Sequence, residues 1–186
     1  MNEPLLEFIN GAAGRSDLLD GLGRFAANEL IFVLGAALVA LGLIEARRRR
    51  GRSLRVALAG VAATAVALAF VFALGQLWYE PRPFVSDPDT VRLISHAANN
   101  SFPSDHAAVA AAAATIGALA WRRAAVPLAV FVILIGIGRV FVGVHYPGDV
   151  VAGAAVGAGA GLAAWWAANA LAARLGVERG PQSAEA

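Results

Sequence analysis

The sequence predicts an all-α protein: a polytopic membrane helix bundle of about five transmembrane helices, with short N-terminal interfacial helices ahead of them. Three observations carry that class. The 186 residues are 59% hydrophobic, with a mean hydropathy of +0.65, too oily for an ordinary soluble domain. The apolar runs have membrane-spanning length. Polar residues gather at the ends of these runs rather than inside them.

Residues 1–26 mix Leu5, Leu6, Phe8 and Ile9, then Leu18, Leu19 and Leu22, with acids and glycines. That pattern suits one or two short helices lying at a membrane surface. Glu3 and Glu7 stand where a signal peptide would need a basic region, so the first spanning helix is expected to direct insertion. That span runs from about Asn28 to Ala46 and is stopped by Arg47, Arg48, Arg49, Arg50, Arg52 and Arg55. The second runs from about Val56 to Tyr79, and a polar stretch from Glu80 to Pro103 follows. Further spans are expected from Ser104 to Trp121, Ala124 to Val144 and Pro147 to about Ala173. At about 1.5 Å per residue, each is expected to cross a hydrocarbon core of about 30 Å. The domain division is then residues 1–26 (interfacial), 27–175 (membrane domain) and 176–186 (polar tail).

Charge orients the bundle. Every basic residue is arginine and the formal net charge is +2, so the pI of about 9.9 carries no message about nucleic acid. Arg47 to Arg55, Arg122 with Arg123, and Arg174 with Arg179 fall on one face, the cytoplasmic one by the positive-inside rule. Arg15, Arg24, Arg82, Arg92 and Arg139, half as many, fall on the other. Trp78 and Tyr79 fit an outer aromatic belt, and Trp121, Trp165 and Trp166 an inner one. The plasma membrane, with the polar strings facing outward, is the expected location. The absence of cysteine excludes a disulfide framework, a thiolate metal site and a cysteine nucleophile. Gly153, Gly157 and Gly161 form a small-residue stripe on the last helix, for close packing inside the chain or for a homodimer seam.

Three polar strings interrupt the hydrophobic chain: Glu80-Pro81-Arg82-Pro83-Phe84, Ser101-Phe102-Pro103-Ser104-Asp105-His106, and Gly138-Arg139 followed by His145-Tyr146-Pro147-Gly148-Asp149. The topology brings all three to one side of the membrane. Ser104 stands where a helix begins; it can cap that helix, with Asp105 favouring the positive helix end, while the free amides there offer an anion site. His145 and Asp149 are four apart across a turn, so the carboxylate can fix the imidazole tautomer and leave the other nitrogen free to attack. The plainer alternatives are a first-turn acid and an inert interfacial histidine. Arg82 and Arg139 would each merely snorkel if met alone, but charges kept together at a membrane edge mark a working site. Such a set can hold and transfer a phosphoryl group.

These strings resemble the three signature motifs of the type 2 phosphatidic acid phosphatase superfamily, which also includes vanadium-dependent haloperoxidases and bacterial acid phosphatases. Arg82-Pro83 matches the end of the first motif, Pro103-Ser104-Asp105-His106 the second, and Arg139, His145 and Asp149 the third. The wider texture is similar to the bacitracin-resistance-type undecaprenyl pyrophosphate phosphatases: Tyr79 to Val85, His96-Ala97-Ala98 ahead of Ser101 to His106, and Val142-Gly143 before His145. Two positions depart from the superfamily. Gly75, with Gln76 beside it, stands where the first motif opens with lysine, a loss shared with the undecaprenyl branch. Gly138 stands where the third motif usually opens with serine.

The resemblance implies an acid phosphatase/haloperoxidase-like fold and a metal-independent lipid phosphatase without cofactor. His145 would attack phosphorus and form a phosphohistidine, with Asp149 orienting it and His106 protonating the leaving oxygen before activating water. Arg82, Arg139, Ser104 and Asp105 would bind the phosphate; Gln76, Glu80, Arg92 and His96 are candidates to line the site, His96 alternatively lying in the outer loop. Undecaprenyl diphosphate is the expected substrate, linking the chain to peptidoglycan carrier-lipid recycling and bacitracin resistance. A phosphatidylglycerol phosphate or phosphatidate phosphatase, or a catalytically silent lipid-binding or transport protein, are the alternatives.

Overall fold

Proline, glycine and capping residues cut the apolar chain into helices. The computed structural model describes residues 2–176. The order is α1 (Asn2–Asn10), α2 (Asp17–Arg24), a π-helical turn (Phe25–Glu29), α3 (Leu30–Leu77), α4 (Pro83–Ser86), α5 (Asp105–Ala120), a 3-10 turn (Arg122–Ala124), α6 (Ala125–Phe141) and α7 (Pro147–Arg174). The expected tail, residues 176–186, and Arg179 lie almost wholly outside the described residues.

α3 contains both of the first two expected spans. Arg49 leaves helical geometry at φ −144°, ψ 71°, within the arginine cluster. Ser53 Oγ donates to Gly42 O at 2.7 Å, although eleven residues of straight helix would separate them by about 16 Å. The chain therefore folds back at Arg49 into two arms. Arg52 pins the bend, donating to Glu45 Oε1 at 2.6 Å and to Ala120 O at 2.7 Å.

Among the described residues, three helical runs are long and apolar enough to cross a membrane: Asp17–Leu77, Arg122–Phe141 and Pro147–Arg174. α5 corrects the expectation that every span would do so. Its 16 residues reach only about 24 Å. Ser104 fixes its start, accepting from Ala107 N, and Trp121 fixes its end by leaving helical φ/ψ. The other helices surround it, and Ala107, Ala108, Ala110 and Ala112 are fully buried.

Small residues make that central position feasible. A Cβ at Gly153 would meet Ser104 O, and one at Gly157 would meet Ala108 O, both below van der Waals contact. Gly161 faces Ala112 and Thr115. Hydrophobicity does not draw helices together in lipid, so close backbone contact is the main source of cohesion. The glycine stripe packs between α7 and α5 within the chain. An apolar cavity of about 690 Å³ lies between the α3 arms and the C-terminal half of α5, lined by Leu38, Val56, Gly60, Ile116 and Trp121 among others.

The N-terminal helices are two-faced. Leu6 packs with Val140 and Tyr146, while Phe8, Leu18 and Leu22 are exposed. Buried Asn10 fastens α1 to the bundle: its Nδ2 donates to Val91 O at 2.9 Å and Phe141 O at 2.7 Å, and its Oδ1 accepts from Val91 N at 2.8 Å.

Candidate active site

Two helix beginnings meet at the site. Pro147 opens α7, and Asp149 caps it by accepting from Tyr146 N at 2.8 Å. Ser104 N donates to Asp149 O at 3.0 Å, so the start of α5 is tied to the first turn of α7. That bond joins the second and third strings. Gly143 turns the chain between α6 and α7 at φ +78°, a conformation that a side chain would resist.

His145 sits in this turn, 1% exposed. Its Nδ1 is 3.6 Å from Asp149 Oδ2, beyond ordinary hydrogen-bond range, and 3.3 Å from Ser101 Oγ. Ser101 Oγ donates to Asp149 Oδ2 at 2.5 Å. A serine hydroxyl has one hydrogen; with it committed to Asp149, Oγ can only accept from Nδ1–H. The tautomer is thereby fixed, and Nε2 keeps its lone pair. Arg82 Nη1 stands 3.3 Å from that nitrogen. Burial holds the His145 imidazole below its ordinary pKa; Asp149 opposes this, and the nearby Arg139 and Arg82 charges reinforce it. The imidazole is neutral at neutral pH.

The expected direct bond from Asp149 to His145 is thus relayed through Ser101, a residue whose role the sequence reading missed. Ser101 lies in the second string, three residues before the helix cap, but a serine in a loop carries no charge pattern to flag it. Asn99 and Asn100 were missed for the same reason. Arg82 donates from Nε to Asn99 Oδ1 at 2.9 Å, from Nη1 to Val144 O at 2.7 Å and from Nη2 to Asn100 O at 3.0 Å. Asn100 also donates to Gly75 O and Trp78 O, both at 2.8 Å, and accepts from Glu80 N at 2.9 Å. It buckles the end of α3 to the second string.

Arg139 is 1% exposed. Among the described residues only its Nη1 finds acceptors, Ala27 O and Asn28 Oδ1, both at 3.4 Å, while Nε and Nη2 are buried and unpartnered. A buried guanidinium with free donors is costly unless an anion meets it.

His106 is partly exposed on the first turn of α5, with Nδ1 3.0 Å from Asp105 Oδ1. Asp105 Oδ1 also accepts from His106 N at 2.7 Å. The Asp105 carboxylate thus lies against His106, where it can orient that imidazole. Ser104 is fully buried and acts as the α5 cap.

The four candidate lining residues separate. Gln76 is exposed near the end of α3, and Arg92 stacks over Phe84 at 4.8 Å. Glu80 contributes through its backbone, accepting at its carbonyl from Ser101 N at 2.8 Å. His96 is lowered in pKa by burial first, with further influence from Ala97 O, Arg82, Arg139 and Asp105; it is in the loop and also within electrostatic reach of the site. At Gly75 a Cβ would lie 3.3 Å from Asn100 Nδ2, so Asn100 holds the ground beside the position where the superfamily carries lysine. Among the described residues no three His, Cys, Asp or Glu side chains cluster as ligands for a metal ion.

The family model of the PAP2 superfamily matches residues 55–172. The chain is 34% identical over 152 residues to the undecaprenyl-diphosphatase BcrC of Bacillus subtilis (strain 168), covering 81% of this chain and 76% of the relative. It is 30% identical over 168 residues to the bacitracin transport permease protein BcrC of Bacillus licheniformis, covering 90% and 81% respectively. Among solved structures, LpxE of Aquifex aeolicus superposes with a TM-score of 0.70 at 26% identity, covering 89% of this chain and 94% of that one.

Proposed function

The chain belongs to the PAP2 superfamily, and from that premise we propose that it hydrolyses undecaprenyl diphosphate to undecaprenyl phosphate and phosphate through a phosphohistidine on His145. It is a multi-pass membrane lipid phosphatase; the substrate, the intermediate and the residue roles are the proposal. One observation carries it: a neutral, buried histidine presents Nε2 beside Arg82, and Arg139 is buried with two free donors.

In the first step the Nε2 lone pair forms the N–P bond while the bond from phosphorus to the bridging oxygen breaks. The leaving lipid phosphate takes its electron pair and a proton from His106. Arg82, Arg139 and the α5 start stabilise the equatorial oxygens as charge develops. His106, held by Asp105, then takes a proton from water; the water oxygen bonds to phosphorus, the N–P bond breaks and phosphate departs. The guanidinium groups supply the cationic stabilisation, so the reaction proceeds without a metal ion.

Substrate choice follows from leaving-group chemistry. A lipid diphosphate expels a phosphate, whereas a monoester expels a poorer alkoxide. A site that lacks the superfamily lysine at Gly75 is adequate for the first. The relatives' names, undecaprenyl-diphosphatase and bacitracin transport permease, support the same lipid and a link to bacitracin. Retention of His106, His145 and Asp149 favours catalysis over a silent transport role. We place the protein in the plasma membrane with the site facing outward, where the carrier lipid is released by wall synthesis.

The test is phosphate release in detergent with EDTA, comparing undecaprenyl diphosphate, phosphatidylglycerol phosphate and phosphatidate, with His145→Ala as control. Preference for the diphosphate, lost in the variant, is expected. Preference for a glycerolipid would overturn the substrate, and a requirement for added magnesium would overturn the metal-free mechanism.

A further inference from the structure

Gly138 departs from the serine usual in its family, and the neighbouring packing explains the substitution. A Cβ there would lie 2.7 Å from Ala27 N and 2.8 Å from the Ala26 carbonyl carbon. α6 rests directly on the π-helical turn Phe25–Glu29, leaving no room for a side chain. Inside a regular helix a carbonyl is committed to an amide four residues on; a π turn shifts that register. Here Leu30 N donates to Phe25 O, and Ala27 O accepts from Arg139 Nη1 together with Asn28 Oδ1. A segment that sequence reading assigned to a surface helix and the edge of the first span therefore reaches a buried arginine more than a hundred residues away.

We propose that Asn28, with the Ala27 carbonyl, is the positioning device for Arg139. The two acceptors grip Nη1 from one side and turn the Nε–Nη2 edge, whose two donors are buried and unpartnered, toward the phosphoryl oxygens. That edge is the fork that meets an oxyanion bidentately. Asn28 is uncharged and both contacts are long at 3.4 Å, so the grip orients the guanidinium without neutralising it. A carboxylate in the same place would orient it and cancel the charge the substrate needs. The π turn and Gly138 act as a pair: the glycine admits the turn, and the turn supplies the acceptors. The proposal rests on the reading of Arg139 as a phosphate-binding residue.

A double-mutant cycle on kcat/KM in detergent, with orthovanadate inhibition as a second readout, tests it. Asn28→Ala is expected to lower kcat/KM about tenfold and weaken vanadate inhibition similarly, the scale of one hydrogen bond to a charged group. In an Arg139→Ala background the same change is expected to cost nothing further in either readout. Equal losses in both backgrounds, or wild-type behaviour of Asn28→Ala, would overturn the proposal. Should Asn28→Ala not fold, Asn28→Ser enters the same cycle. Undiminished activity in Arg139→Ala alone would overturn the phosphate-site reading beneath the proposal, a failure distinguishable from that of Asn28.

Discussion

His145 is neutral because it is buried, and that has two consequences for pH. Its pKa in the folded chain lies below the ordinary histidine value of about 6.5. Between the two values the unfolded chain binds more protons, so stability rises with pH across that window. The contribution is complete above about pH 6.5 and is lost as pH falls through the window. Thermal stability in detergent should therefore drop between pH 7 and pH 5, with a smaller drop in His145→Gln. For catalysis, the acidic limb of kcat/KM attributable to the nucleophile should lie below 6.5; a limb above 7 would contradict a buried neutral nucleophile. Ser101→Ala removes the relay to Asp149 and should lower kcat roughly tenfold to a hundredfold, the range associated with loss of an orienting partner. The charged and imidazole members of the site were legible in the sequence, because Arg82, Arg139, His106, His145 and Asp149 are costly at a membrane edge. Ser101, Asn99 and Asn100 in their loop, and Asn28 in the π-helical turn, were not, since short neutral side chains are common and their partners are fixed only by tertiary contact. Asp105 was legible as a site residue, but spacing could not show whether its carboxylate would face the phosphate or His106.

Helix identity was written in hydropathy and capping, and the helix ends confirm it. Pro147 and Asp149 start α7, Ser104 starts α5, and the arginine cluster bends α3 at Arg49. The length of α5 was not legible, because an apolar run records membrane compatibility and not which helix sits in the centre. Likewise the π turn at Phe25–Glu29 has no periodicity signal; only its contact with Gly138 reveals its use. The glycine stripe was legible as a close-contact face, and in the structure it packs against α5. Gly157→Leu should therefore destabilise the fold strongly, since even a Cβ would collide with Ala108 O and overpacking typically costs about 1–3 kcal/mol or more. A Tm drop of several degrees in detergent is expected, whereas Gly159→Leu, at an open exposed position, should leave Tm nearly unchanged.

At the scale of the molecule, two separate charge sets divide the bundle: arginines around the α3 bend, and the histidine–arginine site at the other end of α5. In the orientation proposed above, the first set faces the cytoplasm and the second faces outward. The chain has no native cysteine, so topology can be read without background. A cysteine at Ser95 should label with a membrane-impermeant maleimide in intact cells, and one at Gly51 only after permeabilisation; the reverse pattern would turn the site inward. The bundle as a whole exists, on this account, to bring three strings from distant segments onto one phosphorus atom and pass it through His145. The most direct measurement is rapid-quench trapping with undecaprenyl diphosphate labelled in its terminal phosphate, using His106→Ala. The phosphate leaving group needs little help from an acid, so that variant should form the phosphoenzyme and hydrolyse it slowly. An acid-labile, alkali-stable label on His145, absent from His145→Ala, is the predicted result; full phosphate release by His145→Ala with no labelled protein at any time would contradict the account.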